Sequence, residues 1–399
     1  MKPPGRPDTH LTYCTNIHPG ESYADLCRII EQSASQVKAD VCPDAPFGLG
    51  LRISGPCADE LCDASLRSDL AKRLADGGFY LFTINGFPYG TFHGEPVKRN
   101  VYRPDWLEPE RVAYTKKLGA LLSELLPVDI GTGSISTVPG AFKDRCTSDD
   151  ARSIITKNLI DAALYLHHLE IHTGKRITLA IEPEPGCMLE TIDEAITFFE
   201  TDLQSDASLD FVQQQTGYGG DKAAELVLRH LGLCLDACHQ AVEFEAPATI
   251  VETLRAHGVP IYKLQLSAGL SVDRANQEAL AKLPEFSDQV YLHQTTMQQN
   301  EGVIRFNDLP EAEQSGLTGT GEARVHFHVP LFMDELPPFQ STRPFLESLL
   351  SAYRAEPFCS HLEIETYSFG VLPEQFRTMT PEQAVARELQ WVLESLGTP

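Results

Sequence analysis

The sequence predicts an α/β protein built as a (β/α)8 TIM barrel. Eight short apolar runs, bounded by glycine and proline, are typical of parallel strands that are buried on both faces. Most runs are followed by an amphipathic stretch, and strict alternation of this kind favours a closed parallel barrel. An open sheet is the alternative, but no G-x-G-x-x-G motif follows the first run, so a dinucleotide-binding fold gains no support.

Each predicted strand is a run of apolar residues, and each predicted helix has apolar residues at helical spacing. The strands are Leu11–Asn16, Phe47–Ser54, Tyr80–Asn85, Val128–Ile135, Ile177–Glu182, Leu231–Asp236, Ile261–Ser267 and Leu362–Tyr367. The helices are Tyr23–Val37, Asp59–Ala75, Pro109–Leu126, Asp149–Thr173, Thr191–Leu203, Ala248–His257, Arg343–Arg354 and Pro381–Leu396. Thr380 before Pro381 predicts the start of the last helix, because a hydroxyl cap followed by proline is a common helix N-terminus.

One region breaks the alternation. Residues 268–340 separate the seventh and eighth strands, although a plain βα unit needs far fewer. We predict one barrel domain over residues 1–399, with 268–340 as an insertion over the mouth that acts as a lid. Its predicted strands are Val290–Thr295, Val303–Phe306 and Val325–Pro330, with a mobile loop at Ser315–Gly321.

Composition excludes some classes of function. The net charge of −24 opposes nucleic-acid binding, which depends on phosphate neutralisation. The N-terminal residues contain no apolar signal region, and no run is long enough for a transmembrane helix, so we expect a cytoplasmic protein without membrane insertion. The 10 cysteines form no C-x-x-C pair, and we expect most of them to be free.

Three predicted strands end in carboxylates. Glu182, Asp236 and Glu365 stand at the ends of the fifth, sixth and eighth strands, where side chains of a barrel converge. All three are candidate metal ligands, and Glu182 and Glu365 are also candidate catalytic groups. Glu184 lies two residues after Glu182 and would be a second ligand, a base or a substrate contact, unless it is a surface loop residue.

Further candidates follow on the same strands. His239, three residues after Asp236, would ligate metal, contact substrate or act in catalysis. Lys263 would steady a developing alkoxide, and Gln265 would coordinate metal through its amide oxygen, unless both face outward. Cys234 and Cys238 could form a zinc–thiolate site with His239, but no fourth ligand lies nearby.

The predicted insertion contributes two histidines. His326 and His328 alternate on an extended segment, so both imidazoles point to one side. They would either complete a metal site or clamp a substrate; structural histidines in a small sheet are the alternative. The remaining candidates for substrate binding stand near strand ends: His18, Arg52, Asn85, Tyr89, His93 and Tyr367.

The order Glu, Asp-x-x-His, polar strand, Glu resembles the xylose-isomerase-like TIM-barrel superfamily. The segments THLTYCTNIHPGES, NGFPYGTFHG, LAIEPEPGC, LCLDACH, KLQLS, RVHFHVP and LEIETY together resemble the EboE family, described as metabolite traffic proteins of the ebo cluster. The resemblance runs from Thr9 to Tyr367. It implies handling or export of a secondary metabolite, with other ebo-cluster proteins as partners.

The superfamily also implies a ligand set. Its epimerases hold one Mn, Mg, Co or Zn ion through Glu, Asp, His and Glu, and these places fall on Glu182, Asp236, Gln265 and Glu365. The substrate-contacting histidine falls on His239. Gln265 replaces the usual histidine, which predicts weaker binding of softer metals unless His326 or His328 compensates.

Three functions follow as hypotheses. The first is a metal-dependent isomerase or epimerase that uses one Zn, Mn or Mg ion on a polyol, sugar or keto metabolite. The second is a metabolite-binding carrier with little or no catalysis on the same barrel, because fold does not fix function. The third is a nuclease similar to endonuclease IV, which the acidic net charge opposes.

Overall fold

The apolar runs form one parallel sheet that curls into a nearly closed barrel. The structure is a computed structural model that describes residues 1–299, 302–333 and 336–397. In chain order its strands are β1 (His10–Tyr13), β2 (Phe47–Arg52), β3 (Phe79–Asn85), β4 (Thr132–Thr137), β5 (Arg176–Ile181), β6 (Leu231–Asp236), β7 (Ile261–Leu266), β8 (Gly269–Asp273), β9 (Thr295–Gln299), β10 (Gly302–Phe306), β11 (Glu322–His328), β12 (Gln340–Ser341) and β13 (His361–Ile364).

The barrel contains eight strands in the order β1-β13-β7-β6-β5-β4-β3-β2. Its neighbouring strands are parallel, which confirms the (β/α)8 prediction. A backbone bridge between Cys14 and Gly50 joins β1 to β2. A Cβ on Gly50 would collide with the carboxylate of Glu363 inside the barrel, so glycine lets β2 approach that side chain.

Helices surround the barrel, and many begin with a side-chain cap. In the described residues they are α1 (Tyr23–Arg28), α2 (Ser35–Val41), α3 (Gly55–Glu60), α4 (Ala64–Asp76), α5 (Pro109–Leu125), α6 (Asp149–Thr173), α7 (Ile192–Phe198), α8 (Asp206–Thr216), α9 (Gly220–His230), α10 (Ala237–Val242), α11 (Pro247–Ala256), α12 (Gln277–Lys282), α13 (Leu309–Ser315), α14 (Arg343–Ala355) and α15 (Pro381–Leu396). The predicted start of α15 is confirmed, because Thr380 forms a capping box with Gln383. None of these helices has the length and apolar character needed to cross a bilayer.

A second sheet lies in the chain between β7 and β13. Its five described strands pair antiparallel in the order β10-β9-β11-β8-β12. The predicted strand at Val290–Thr295 is wrong, since β9 begins only at Thr295. The reason is a bend at Asp288, whose carboxylate accepts hydrogen bonds from the backbone of Val290 and Tyr291.

This second sheet is tied to the barrel at several points. The backbone N–H of Val329 donates to Ala268, just after β7. The N–H of Leu331 donates to the carboxylate of Glu388 on α15. The sheet therefore packs at the end of the barrel where β7 and β13 finish.

Candidate metal centre and substrate cavity

Three carboxylates from separate strands meet at one end of the barrel. Glu182 follows β5, Asp236 ends β6 and Glu365 follows β13. Their oxygen atoms lie within 4.8 Å of one another, and all three residues are buried. The three predicted carboxylate ligands are therefore brought together as one cluster.

Two of these carboxylates carry an oxygen without a hydrogen-bond partner. Oε2 of Glu182 and Oδ2 of Asp236 are both buried and unpaired. The other oxygen of Asp236 is fixed, because it accepts from the backbone N–H of His239 and from the hydroxyl of Ser267, each at 2.8 Å. Buried anionic oxygens without donors are costly, and a cation would satisfy them.

The third carboxylate is held by two amides. The side-chain nitrogens of Asn16 and Asn85 donate to Oε1 of Glu365 at 2.6 and 3.0 Å. The backbone N–H of Phe87 donates to the oxygen of Asn85 at 3.1 Å, which fixes the orientation of that amide. Asn85 was predicted as a substrate contact, whereas the structure uses its amide to position Glu365.

The clustered carboxylates raise one another's proton affinity. Burial is the largest cause that raises the pKa of Glu182, and the charges of Glu365 and Asp236 raise it further. Burial and the charge of Asp236 likewise raise the pKa of Glu365. The cluster thus concentrates negative charge where little water can screen it, which favours a bound cation.

The second sheet places two imidazoles beside this cluster. Nδ1 of His328 donates to the backbone carbonyl of Glu365 at 2.6 Å, so its neutral form leaves the Nε2 lone pair free. Nδ1 of His326 lies 2.9 Å from Oε1 of Gln294, whose amide nitrogen donates to the carbonyl of Pro185. His326 is therefore also a donor at Nδ1 and an acceptor at Nε2.

The two Nε2 atoms lie 3.2 Å apart. Burial lowers the pKa of His326 and His328, so both rings are neutral and two lone pairs face each other. Two ligand atoms of a tetrahedral zinc ion are separated by about 3.4 Å. An ion between the rings would therefore relieve the repulsion with little movement.

His239 lies between the carboxylates and the two insertion histidines. Its Nδ1 donates to the carbonyl of Pro183 at 3.2 Å, and its Nε2 lies 3.8 Å from Oδ1 of Asp236. Burial lowers the pKa of His239 to about 4. A neutral ring whose second nitrogen is bonded to a carbonyl is the usual state of a metal-binding histidine. Its ligand atoms lie within 4.8 Å of those of Asp236 and His328.

Glu184 faces the cavity from the same loop as Glu182. The hydroxyl of Tyr102 donates to its Oε1 at 2.7 Å, and Nδ1 of His326 lies 3.6 Å from that oxygen. Burial raises the pKa of Glu184 to about 8, although the hydrogen bond from Tyr102 opposes the shift. Glu184, His239 and His326 also have ligand atoms within 4.8 Å of one another.

A cavity opens above these groups. It has about 490 Å³ of empty volume, including the part open to solvent. Its polar end is lined by Asn16, Glu182, Glu184, Glu365, His239 and His326, and its other end is lined mainly by apolar side chains. Tyr367, predicted to contact substrate, lines the cavity and packs against the ring of His328 at 4.8 Å between centroids.

Two predicted site residues lie deeper in the barrel. Lys263 pairs with Glu363, and Gln265 accepts a hydrogen bond from the thiol of Cys234 at 3.2 Å, while its amide nitrogen has no partner. Neither residue is among those that line the cavity. The catalytic role of Lys263 and metal binding by Gln265 therefore both stay predictions.

Four predicted substrate contacts are not among the residues that line this cavity. The guanidinium of Arg52 binds both oxygens of Glu21. The ring of His18 bonds to the hydroxyl of Tyr13, and that of His93 bonds to the hydroxyl of Tyr291. The fourth residue, Tyr89, packs against a neighbouring tyrosine ring. These contacts within the protein are alternatives to the predicted role of the four residues in substrate binding, which stays a prediction.

Sequence reasoning missed several cavity residues. Asn16 ends the first predicted strand, so the strand-end rule that found Glu182 would also have found it. Tyr102 and Gln294 lie in loops far apart in sequence, and their contact at 2.6 Å depends on tertiary packing. No local pattern signals such a pair.

A second group of possible ligands lies on the outer helices. His167 and Glu170 on α6 and His230 at the end of α9 have ligand atoms within 4.8 Å of one another. Both oxygens of Glu170 already accept from Arg229. This group is separate from the cavity and must be controlled for in any measurement of bound metal.

No family model matches the chain, and neither does any curated protein. Among solved structures, D-allulose 3-epimerase from Methylomonas sp. is 10% identical, with a TM-score of 0.50, over 99% of this chain and 100% of that one. A xylose isomerase domain protein from Planctomyces limnophilus is 12% identical, with a TM-score of 0.49, over 99% and 98%. The IOLI protein with a binding zinc atom is 12% identical, with a TM-score of 0.43, over 97% and 98%.

At these identities the likeness shows the fold alone, a (β/α)8 barrel. To this fold the chain adds a buried group of carboxylates and histidines with the character of a metal site. The narrower resemblance to the EboE family stays a prediction.

Proposed function

We propose that this protein is a divalent-metal-dependent isomerase or epimerase that acts on a small polyhydroxylated or keto metabolite. One observation carries the proposal. One oxygen from each of three buried carboxylates lies within 4.8 Å of the others, two of these residues have an unpaired oxygen, and Glu182 and Glu365 line a cavity.

The donor set fits one divalent ion. Glu182, Asp236 and Glu365 would supply oxygen, and His328 would supply nitrogen through its free Nε2. Mixed oxygen and nitrogen ligands suit zinc or manganese better than magnesium, which prefers oxygen and water. Such an ion supplies a Lewis acid for a carbonyl or for adjacent hydroxyls.

Proton transfer would fall to the carboxylates that line the cavity. Glu182 and Glu365 belong to β5 and β13, which β6 and β7 separate in the sheet, so they approach a ligand from different sides. One carboxylate takes the proton from the carbon beside a carbonyl. The other returns a proton to the opposite face of that carbon, giving an epimer. Alternatively, the proton goes to the carbonyl carbon while the proton of the neighbouring hydroxyl passes to the former carbonyl oxygen, giving an isomer. No redox cofactor is needed.

The proposal includes narrower parts that rest on the sequence. These are cytoplasmic location, a lid function for 268–340, and a role in secondary-metabolite processing or export with other ebo-cluster proteins. Support for the lid comes from Tyr291, Leu292 and His326, which reach the cavity from this segment.

The test combines metal analysis with hydrogen exchange. Purified protein is analysed by plasma mass spectrometry, and then incubated in D2O with ketoses, aldoses and 2-hydroxyketones while deuterium uptake is followed by NMR. We expect one ion at the cavity and uptake at the carbon beside the carbonyl. Glu365→Gln should abolish uptake, and Glu182→Gln/Asp236→Asn should lose the ion.

His167→Ala is the matched control, since it alters only the outer group. It should leave deuterium uptake unchanged, and any ion lost from it belongs to the helices. Metal-free protein that still exchanges substrate hydrogen would refute the metal centre. A bound ligand that never exchanges, in metal-loaded protein, would favour the carrier hypothesis instead.

A further inference from the structure

One part of the cavity wall is apolar. It is formed by Phe87, Phe92, Val97, Val101 and Leu292, which come from the loop after β3 and from the insertion. Four of these five side chains are less than 10% exposed, and Val101 is half-buried. A ligand that fills the cavity must therefore bury surface against hydrocarbon and aromatic rings.

Two polar side chains beside this wall are already paired within the protein. The hydroxyl of Tyr291 bonds to His93 at 2.7 Å. The ammonium group of Lys98 donates to the carboxylate of Asp308 at 2.8 Å and to the carbonyl of Asp288 at 3.1 Å. These side chains thus have partners other than a ligand, and a hydroxyl placed beside the wall would lose its hydrogen bonds to water without replacement.

The polar end has the opposite character. Oε2 of Glu182 and Oδ1 of Asn16 are buried acceptors without donors, and both residues line the cavity. These two oxygens can accept hydrogen bonds from ligand hydroxyls or bind a cation. Hydrogen-bonding capacity is therefore concentrated at one end of the cavity, whereas a free sugar carries hydroxyls along its whole length.

The wall is held in place by the insertion. The carbonyl of Val290 accepts hydrogen bonds from the backbone of both Val97 and Lys98, at 2.8 and 2.9 Å. Lys98 has φ of 43°, a left-handed conformation that is unfavourable for a residue with a side chain. Strain of this kind persists where surrounding contacts impose it, so the shape of the wall is set before a ligand binds.

We propose that the ligand is amphipathic, with vicinal oxygens or a hydroxyketone at one end and an aliphatic or aromatic group at the other. The proposal rests on the proposed function only for the oxygen end. The carboxylates and their ion bind the oxygens, and the apolar group packs against Phe87, Phe92, Val97, Val101 and Leu292. Among the compounds of the exchange test, a simple aldose or ketose should then bind more weakly than a 2-hydroxyketone that carries an apolar group.

The test uses two pairs of probes that differ only in the apolar group. Zinc- or manganese-loaded protein is titrated calorimetrically with acetohydroxamate and with benzohydroxamate. Metal-free protein is examined by ligand-detected NMR with propane-1,2-diol and with 1-phenylethane-1,2-diol. We expect the phenyl compound of each pair to bind roughly tenfold or more tightly, because it buries a ring.

Variants separate the wall from the intrinsic affinities of the probes. Val97→Thr/Val101→Thr keeps the shape but adds two hydroxyls, and should reduce the phenyl preference severalfold while acetohydroxamate binding is unchanged. Val128→Thr is the matched control, since Val128 is 96% exposed and does not line the cavity. It should leave the preference intact.

The outcomes are distinguishable. An equal affinity within both pairs, or a preference that the Thr variant does not alter, would overturn the amphipathic ligand. The hydroxamates could fail to bind while the phenyl diol still binds more tightly than propane-1,2-diol. That result would count against the metal centre and would still support the apolar wall.

Discussion

Inside the barrel, Nζ of Lys263 lies 2.5 Å from Oε2 of Glu363, and neither side chain is exposed. Nζ also donates to the hydroxyl of Ser136 at 3.2 Å. Burial, the largest single effect, lowers the pKa of Lys263, but the charge of Glu363 and the smaller effects of neighbouring groups together raise it. The pair lies below the carboxylate cluster and is a structural element of the barrel interior.

Breaking this pair should destabilise the fold. Lys263→Met leaves a buried carboxylate without its partner, and we expect the free energy of unfolding to fall by roughly 3–5 kcal/mol. Urea denaturation measures the change. Adding Glu363→Gln should restore part of the loss, because the unpaired charge is removed.

The control for this prediction is a surface pair. Lys117 and Asp59 are 40% and 59% exposed, so Lys117→Met should cost much less. If Lys263→Met and Lys117→Met lowered the free energy of unfolding by similar amounts, the Lys263–Glu363 pair would not have the structural role assigned to it.

The amides that hold Glu365 should tune the metal site. Asn85→Ala or Asn16→Ala removes a donor to Oε1, and we expect roughly 10- to 100-fold weaker metal binding for each, because hydrogen bonds to a ligand fix its orientation. Competition with a chromophoric chelator measures the affinity. Asn158→Ala, whose amide bonds to the backbone of Trp106, is the control and should bind metal normally. Unchanged affinity in both site variants would show that the amides do not position a ligand.

Sequence patterns predicted the barrel because its signals are local. The run Leu231–Asp236 coincides with β6, and the same logic located Glu182 and Glu365 at strand ends. A buried parallel strand is mostly apolar until it reaches the mouth of the barrel, where a polar side chain can be solvated or can bind a ligand. This rule depends on a few neighbouring residues and needs no knowledge of the rest of the chain.

The remainder of the site depends on distant contacts. Arg52 also stands at a strand end, but its partner Glu21 comes from another loop, and this pairing decides that Arg52 is structural. The cavity wall joins Val97 to Val290 across almost two hundred residues of chain. Neither relationship leaves a periodic signal in sequence.

A buried carboxyl group on the last helix should make stability depend on pH. Oε1 of Glu388 accepts from the backbone of Leu331 and from the hydroxyl of Thr366, and Oε2 is buried without a partner. Burial raises the pKa of Glu388 from 4.5 to about 7. The folded protein therefore keeps this proton to higher pH than the unfolded chain does, and stability falls as pH rises from 4.5 to about 7.

Replacing Glu388 by glutamine should remove the loss of stability that occurs when its buried carboxyl group ionises. Glu388→Gln is expected to gain up to roughly 3 kcal/mol relative to the unmodified protein between pH 4 and pH 8. Chemical denaturation at a series of pH values gives the difference. Glu394→Gln, at an exposed position of the same helix, should show no such trend. If the difference in free energy of unfolding between Glu388→Gln and the unmodified protein did not change with pH, the raised pKa of Glu388 would be contradicted.

Arg52 should matter for stability and not for binding. Its guanidinium donates to both oxygens of Glu21 and to the carbonyls of Gly20, Pro88 and Gly90. Lysine cannot reproduce this planar set, so Arg52→Lys should cost roughly 2 kcal/mol and lower Tm, with metal affinity unchanged. Arg99→Lys, at a pair that is about half exposed, is the control. If Arg52→Lys kept its stability but bound the probes more weakly, Arg52 would be a ligand contact and not a structural residue.

The carboxylates and the facing imidazoles of the candidate centre come from parts of the chain that can change separately. Glu182, Asp236 and Glu365 belong to the barrel, whereas His326 and His328 belong to β11 of the second sheet. Substitutions confined to that sheet would alter the number of nitrogen ligands and leave the acid–base groups in place. The preferred ion could thus diverge between descendants of one ancestral barrel without loss of the underlying chemistry.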